Sequence, residues 1–162
     1  MKEDLSDFAK YIIDNNLARP LSEAFEEFPV EEEYHKGKVE YFLREHVVEY
    51  HRYKAGDIVF VKEYLYEDGS KGNNHFFVII DNVNFIVPIE YFSMIISSNI
   101  KKESYTNKLL EKDSINNLDR DSIVKTDAVY IISENDISFK LGEVEPDMVE
   151  KYKELYLKFK NN

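Results

Sequence analysis

The sequence predicts an α+β fold: a small, mostly antiparallel β-barrel core preceded by acidic helices and closed by one C-terminal helix. Three observations predict it. Short β-rich apolar runs separated by turn residues fill the middle of the chain, helical apolar spacing occupies its first third, and a proline opens an amphipathic stretch at its end. A chain of 162 residues suits one compact domain with appendages.

The first third reads as helical. Leu5, Phe8, Ile12 and Ile13 recur at helical spacing until Ala18-Arg19-Pro20 breaks the pattern. Leu21, Ala24, Phe25 and Phe28 form a second amphipathic stretch that Pro29 ends. Val39, Phe42, Leu43, His46, Val47 and Tyr50 share one face of a third helix over Val39–Tyr50.

From Tyr53 the texture turns to β. Gly56–Val61 is a first strand, Glu67–Gly72 a turn with two glycines, and Phe76–Ile80 an apolar run suited to a buried strand. Asp81-Asn82 reads as a turn before a strand around Phe85–Pro88. Met94–Ser98, Lys108–Leu110, Ser122–Lys125 and Val129–Ile132 complete the set. Pro146 then opens a helix with Val149, Tyr152, Tyr156 and Phe159 on one side and Lys158 and Lys160 near its C-terminus, where the helix dipole favours cations.

Composition narrows the function classes. Hydrophobic residues make up 43% and aromatic residues 14%, which argues for a folded core. The absence of cysteine excludes disulfides, thiolate metal sites and cysteine nucleophiles, and no metal site or cofactor is expected. His35, His46 and His51 follow no ligand spacing. The start MKEDLSDF lacks the basic and apolar regions of a signal peptide and no apolar run reaches membrane-spanning length, so the expected address is the cytoplasm, away from membranes.

Net charge is −11, with 21 basic and 32 acidic residues. Such a field repels phosphate unless a local basic groove overrides it. The first 52 residues hold 7 of the basic and 13 of the acidic residues, over half of the acidic excess.

A series of short patterns spans about half the chain: GDIVFV (Gly56–Val61), NHFFVIID (Asn74–Asp81), IISSNI (Ile95–Ile100) and LDRDSIVKTD (Leu118–Asp127). In that order they resemble the MazF/PemK/Kid family of toxin ribonucleases, whose core opens on a Gly-Asp strand. The resemblance implies an SH3-like/PemK-like barrel over 53–145, with 1–52 as an acidic helical extension and 146–162 as a helix packing on the core. It also implies metal-independent cleavage of single-stranded RNA, in which the ribose 2′-hydroxyl attacks the adjacent phosphorus. That reaction needs a base, an acid and donors for the phosphoryl group.

In the family these roles fall largely to an Arg just before the second strand and a Thr or Ser at the end of the third. His75 occupies the first position and Ser97 the second. Imidazole can serve as acid or base, titrating near about 6.5, but it lacks the permanent charge and forked donors of Arg. His75 reads equally as a loop residue that caps a turn, and Ser97 and Ser98 as strand-end serines that satisfy local backbone groups. Lys71, Asn74, Ser98, Asn99 and Lys101 are the candidate RNA contacts, Lys71 being open to a purely solvated reading. Ala128 and Tyr130 stand where the family often has Gln and Arg, which removes two RNA-holding groups.

The leading expectation is therefore a toxin-type endoribonuclease acting through His75 and Ser97, open to autoinhibition by its extension. Ser22–Tyr34, acidic and studded with aromatic residues, has the composition of an antitoxin strap. The alternative is a catalytically inactive relative whose acidic surface mimics nucleic acid and binds a nucleic-acid-handling protein, as a phage-borne inhibitor such as an anti-CRISPR would. An antitoxin-like regulator is a third reading. Pairing through the core as a homodimer is what the family implies.

Overall fold

The structure, a computed structural model, describes residues 5–27, 53–61, 75–84, 89–100 and 106–161. Along these run α1 (Asp7–Asp14), α2 (Leu21–Glu27), β1 (Asp57–Val61), β2 (His75–Asn84), β3 (Glu90–Ser97) and β4 (Asn107–Leu110). They are followed by β5 (Ser122–Lys125), β6 (Tyr130–Ser133), β7 (Ile137–Glu143) and α3 (Pro146–Lys160). The fold is α+β, with a seven-stranded sheet in which every pairing is antiparallel.

The order along the sheet is β4-β5-β3-β2-β1-β7, and β6 pairs with β3 beside β5. Among the described residues β4 and β7 do not pair with each other, and the ladder expected to close into a barrel stays open between them. Its two ends are linked by the loop between β4 and β5. Glu143 N donates to Ile115 O at 3.1 Å, and Asn117 Nδ2 donates to Leu141 O at 3.2 Å. Asn116, 1% exposed, stiffens that loop: its Oδ1 accepts from Asp113 N and Leu118 N, both at 3.0 Å, and its Nδ2 donates to Glu111 O at 2.8 Å. Gly142 of β7 lies against it so closely that a Cβ there would stand 2.3 Å from the Asn116 carbonyl oxygen.

The sheet buries both faces. Alternation sends Phe76, Val78 and Ile80 of β2 with Phe92, Met94 and Ile96 of β3 into one core, and Phe77, Ile79, Tyr91 and Ile95 into another. α1 and α3 cover the first face, through Phe8, Ala9, Ile12, Val149, Tyr152 and Tyr156. Ala24 of α2 belongs to the second.

The N-terminal segment thus straddles the sheet, and it crosses at the edge of β6. Arg19 N donates to Val129 O at 2.8 Å and Ile131 N to Arg19 O at 3.1 Å, a one-residue parallel bridge to Tyr130. Because Pro20 has no N–H to extend that ladder, pairing stops there and α2 begins.

Two local devices fix α1 and the start of β1. Ser6 caps α1, its Oγ accepting from Ala9 N at 3.0 Å. A bulge between Ile79 and Asp81 turns Asp81 to the face of Phe92, where its carboxylate accepts the Ser6 hydroxyl and lies 3.1 Å from Lys153 Nζ. At β1, Gly56 takes a positive φ of 98° and a Cβ would meet Val144 O at 2.8 Å, a place for glycine alone.

Several expectations need correction. The turn expected at Asp81-Asn82 is continuous strand, because the bulge absorbs the extra residue without ending the ladder. β3 begins at Glu90, four residues before Met94, and β7 is a strand that the sequence pattern did not predict. Phe159, expected on the buried side of α3, is 37% exposed and lies under Lys160 Nζ, 5.7 Å from its ring centroid. The helix over Val39–Tyr50, the turn at Glu67–Gly72 and the strand at Phe85–Pro88 lie outside the described residues.

Candidate active site

The register of the central strands decides where the two expected site residues fall. Phe76 pairs with Ile96, so the next position places His75 opposite Ser97. Val61 pairs with His75 on one side, and Ser97 with Ile123 on the other, giving a single row across β1, β2, β3 and β5. All of these side chains project to the second face, since their neighbours Phe60, Phe76, Ile96 and Val124 belong to the first. His75 and Ser97 are therefore cross-strand neighbours on one face, a separation over which side chains on paired strands reach a common partner.

Neither is presented to solvent, His75 being 5% and Ser97 2% exposed. Ser97 Oγ accepts from Asn99 N at 3.2 Å, so the hydroxyl does satisfy local backbone, as a strand-end serine would. Ser98 O accepts from Ile100 N at 3.0 Å, and Ser98 and Asn99 are half-buried. Lys71, Asn74 and Lys101 lie outside the described residues, as do His35, His46 and His51. Of the candidate strap Ser22–Tyr34, only Ser22–Glu27 is described, as part of α2.

Sequence reasoning overlooked Lys125. It pairs with Asn107 in the β4–β5 ladder and stands two residues along from Ile123, hence on the same face as Ser97 and His75, one row away. Its ammonium is 3.2 Å from Asp127 Oδ1, and the side chains are only 14% and 19% exposed. The turn carrying this ion pair is pinned by Thr126, whose N and Oγ1 both donate to Thr106 O, at 2.8 and 3.0 Å. Alternation in Ser122-Ile123-Val124-Lys125 places the lysine on the face of Ile123, and the β3–β5 register then brings Ser97 to that face.

An imidazole, a hydroxyl and a lysine with its carboxylate partner are thus gathered on one face. Chemically the set offers a proton acceptor, a hydroxyl donor and an ammonium donor, groups of the kind that phosphoryl transfer uses. No group of three or more His, Asp or Glu that could hold a metal ion is present among the described residues.

Other motif positions prove structural. Asp57 accepts from Lys54 N at 2.9 Å and pairs with Lys140 at 3.0 Å, tying β1 to β7. Burial lowers the Lys140 pKa, but hydrogen bonds to Asp57 and Glu143 outweigh it and raise the pKa above the ordinary value. Ala128 and Tyr130, where RNA-holding groups were absent, are 1% and 0% exposed and fill the second core, Tyr130 meeting Phe77 edge-on at 6.2 Å.

Comparison with protein-family models finds no match, and none is found among curated proteins. No helix among the described residues is long and apolar enough to cross a membrane.

Proposed function

We propose that this protein is a toxin-type, metal-independent endoribonuclease with a divergent PemK-like barrel, acting on single-stranded RNA in the cytoplasm. The observation that carries the reading is the register that sets His75 opposite Ser97 with Lys125 one row along the same face. In this scheme His75 takes the 2′-hydroxyl proton and the 2′-oxygen bonds to phosphorus. Ser97 and Lys125 donate to the phosphoryl oxygens, and the 5′-oxygen leaves with a proton from water. Asp127 is a positioning residue that orients Lys125. Lys125 supplies an ammonium donor where the resembling family has an arginine, without that arginine's forked donors.

Burial of His75 and Ser97 means that substrate enters only when this face opens. The described part of the N-terminal extension supports such control, because Ala24 of α2 belongs to the apolar cluster on the same face. A homodimer formed through the core is the assembly this reading carries with it.

The test is cleavage of an unstructured RNA in the presence of EDTA. Expected products end in 2′,3′-cyclic phosphate, and His75→Ala lowers the rate by about 10²–10⁴-fold. An equal rate in the His75→Ala protein would remove the catalytic assignment.

A second reading is favoured by that same burial together with the −11 charge: a catalytically inactive protein whose acidic surface binds a nucleic-acid-handling protein. Absence of cleavage in every variant, opened ones included, would select it.

A further inference from the structure

A groove runs between α1 and α3, on the face of the sheet opposite His75 and Ser97. On α3, Glu150, Glu154 and Leu157 fall on one stripe, and on α1 Asp7 and Tyr11, four residues apart, form the facing one. The cavity between them has a volume of about 480 Å³. Phe8, Tyr11 and Leu157 contribute apolar surface to it, and Asp7, Glu150 and Glu154 contribute carboxylates.

Its one lining cation among the described residues is already committed. Lys153 Nζ is 3.1 Å from Asp81 and 3.7 Å from Glu150, and it sits 5.4 Å over the Phe8 ring. Among the described residues Asp7 and Glu154 form no ion pair, so the groove presents negative charge beside apolar surface. Its walls are preset, because Ser6 both caps α1 and bonds Asp81, while Phe8 packs edge-on against Tyr156 at 5.8 Å. Binding to such a site needs little reorganisation.

We propose that this groove docks an amphipathic helix of a partner protein, with apolar residues on its inner face and lysine or arginine on its flanks. Two helical walls around an apolar floor are the usual receptor for the apolar stripe of a third helix, and the carboxylates choose the charge of its flanks. Phosphates of nucleic acid and anionic lipid headgroups are repelled by the same carboxylates. A small molecule would need convergent polar groups at the floor, whereas Ser6 and Lys153 are bound to Asp81. The inference stands independently of any catalytic role for His75 and Ser97.

The test uses the full chain and synthetic helical peptides of about 15 residues, long enough to hold a helix. Leucines repeat at i, i+3, i+4 and i+7, the other positions are all Lys or all Glu, and binding is read by fluorescence anisotropy. The Lys peptide is expected to bind at least about tenfold more tightly than the Glu peptide. Glu154→Lys and Leu157→Gln should each weaken it by about tenfold, while Glu111→Lys, the same charge change at an exposed site outside the groove, should alter Kd by less than about twofold. Circular dichroism establishes that each variant is folded, and Glu154→Gln replaces any that is not. Equal affinity for the two peptides overturns the proposal. So does an effect of Glu111→Lys as large as that of Glu154→Lys, which would mean attraction to the total charge and not to the groove.

Discussion

Lys153 Nζ lies 3.1 Å from Asp81 Oδ2, the carboxylate oxygen that also accepts the hydroxyl of Ser6. With side chains 14% and 12% exposed, the pair joins α3 to β2 and, through Ser6, to α1. Removing one partner strands the other charge in a poorly solvated place. Asp81→Ala should therefore cost about 3 kcal/mol, and Ser6→Ala about 1 kcal/mol through the lost cap. Urea denaturation of the single and double variants checks both: strictly additive losses would show that Ser6 and Asp81 do not act as one unit.

The contact of Gly142 with the Asn116 carbonyl yields a second expectation. A Cβ at Gly142 would meet three backbone atoms of Ile115 and Asn116, at 2.3, 2.5 and 2.7 Å, none of which can swing away like a flexible side-chain tip. Gly142→Ala should lower stability by about 2–3 kcal/mol, because the loop must lift from β7. A melting temperature within about 2 °C of the parent would contradict that seal.

Tyr152 and Tyr156 are fully buried, and their hydroxyls have no hydrogen-bond partner among the described residues. Burial raises both pKa values, that of Tyr156 to about 12. An unfolded tyrosine ionises near about 10, so above that pH the unfolded chain releases protons that the folded one keeps. Stability is full below pH 10 and should fall from about pH 10 to 12 by up to about 1.4 kcal/mol per pH unit for each group. Replacing both with Phe should flatten that decline and raise stability at neutral pH by about 1 kcal/mol, since a buried hydroxyl without a partner is unfavourable. Denaturation midpoints across the alkaline range measure both effects.

Opening the second face should reveal the proposed activity. Ala24 has no exposed surface, and a carboxylate in its place cannot stay in an apolar cluster. Ala24→Glu is expected to displace α2 and increase RNA cleavage, and Lys125→Met in that background to reduce it by about 10²-fold. This change is milder than deleting 1–52, which would also strip Phe8, Ala9 and Ile12 from the first core. Unchanged cleavage in a folded Ala24→Glu protein would exclude α2 as the cover.

The sequence disclosed the parts of this fold that rest on local rules. Ser122–Lys125 begins and ends where its pattern does, and Pro146 starts α3 because its fixed φ and missing N–H suit a first helical turn. β7 alternates too, in Ile137, Phe139 and Leu141, but glycine and charged neighbours obscure it, and its identity depends on pairing with β1. The Asp81 bulge depends on partners far away in the chain, Ser6 and Lys153, which no local window contains. At the candidate site, the pairing of His75 with Ser97 follows from one register, whereas their burial depends on what covers the face. Lys125 was legible in its alternation but went unremarked inside a motif read for its Asp and Ser.

The bridge from Arg19 to β6 also has a consequence for the order in which the chain can be completed. A ribosome emits α1 and α2 first, at about 5–20 residues per second, and the carbonyl of Val129 that Arg19 bonds comes about 110 residues later. By then β1, β2 and β3 are already made and Phe8 and Ile12 have their partners there, but for those several seconds Arg19 has no β6 edge to bond. Once β6 emerges, its edge is open to any extended backbone until Arg19 occupies it, and a neighbouring nascent chain is such a backbone. Crowded synthesis should therefore favour strand exchange between copies at this edge, and a chain terminated before Val129 has no strand for its own N-terminal segment to join.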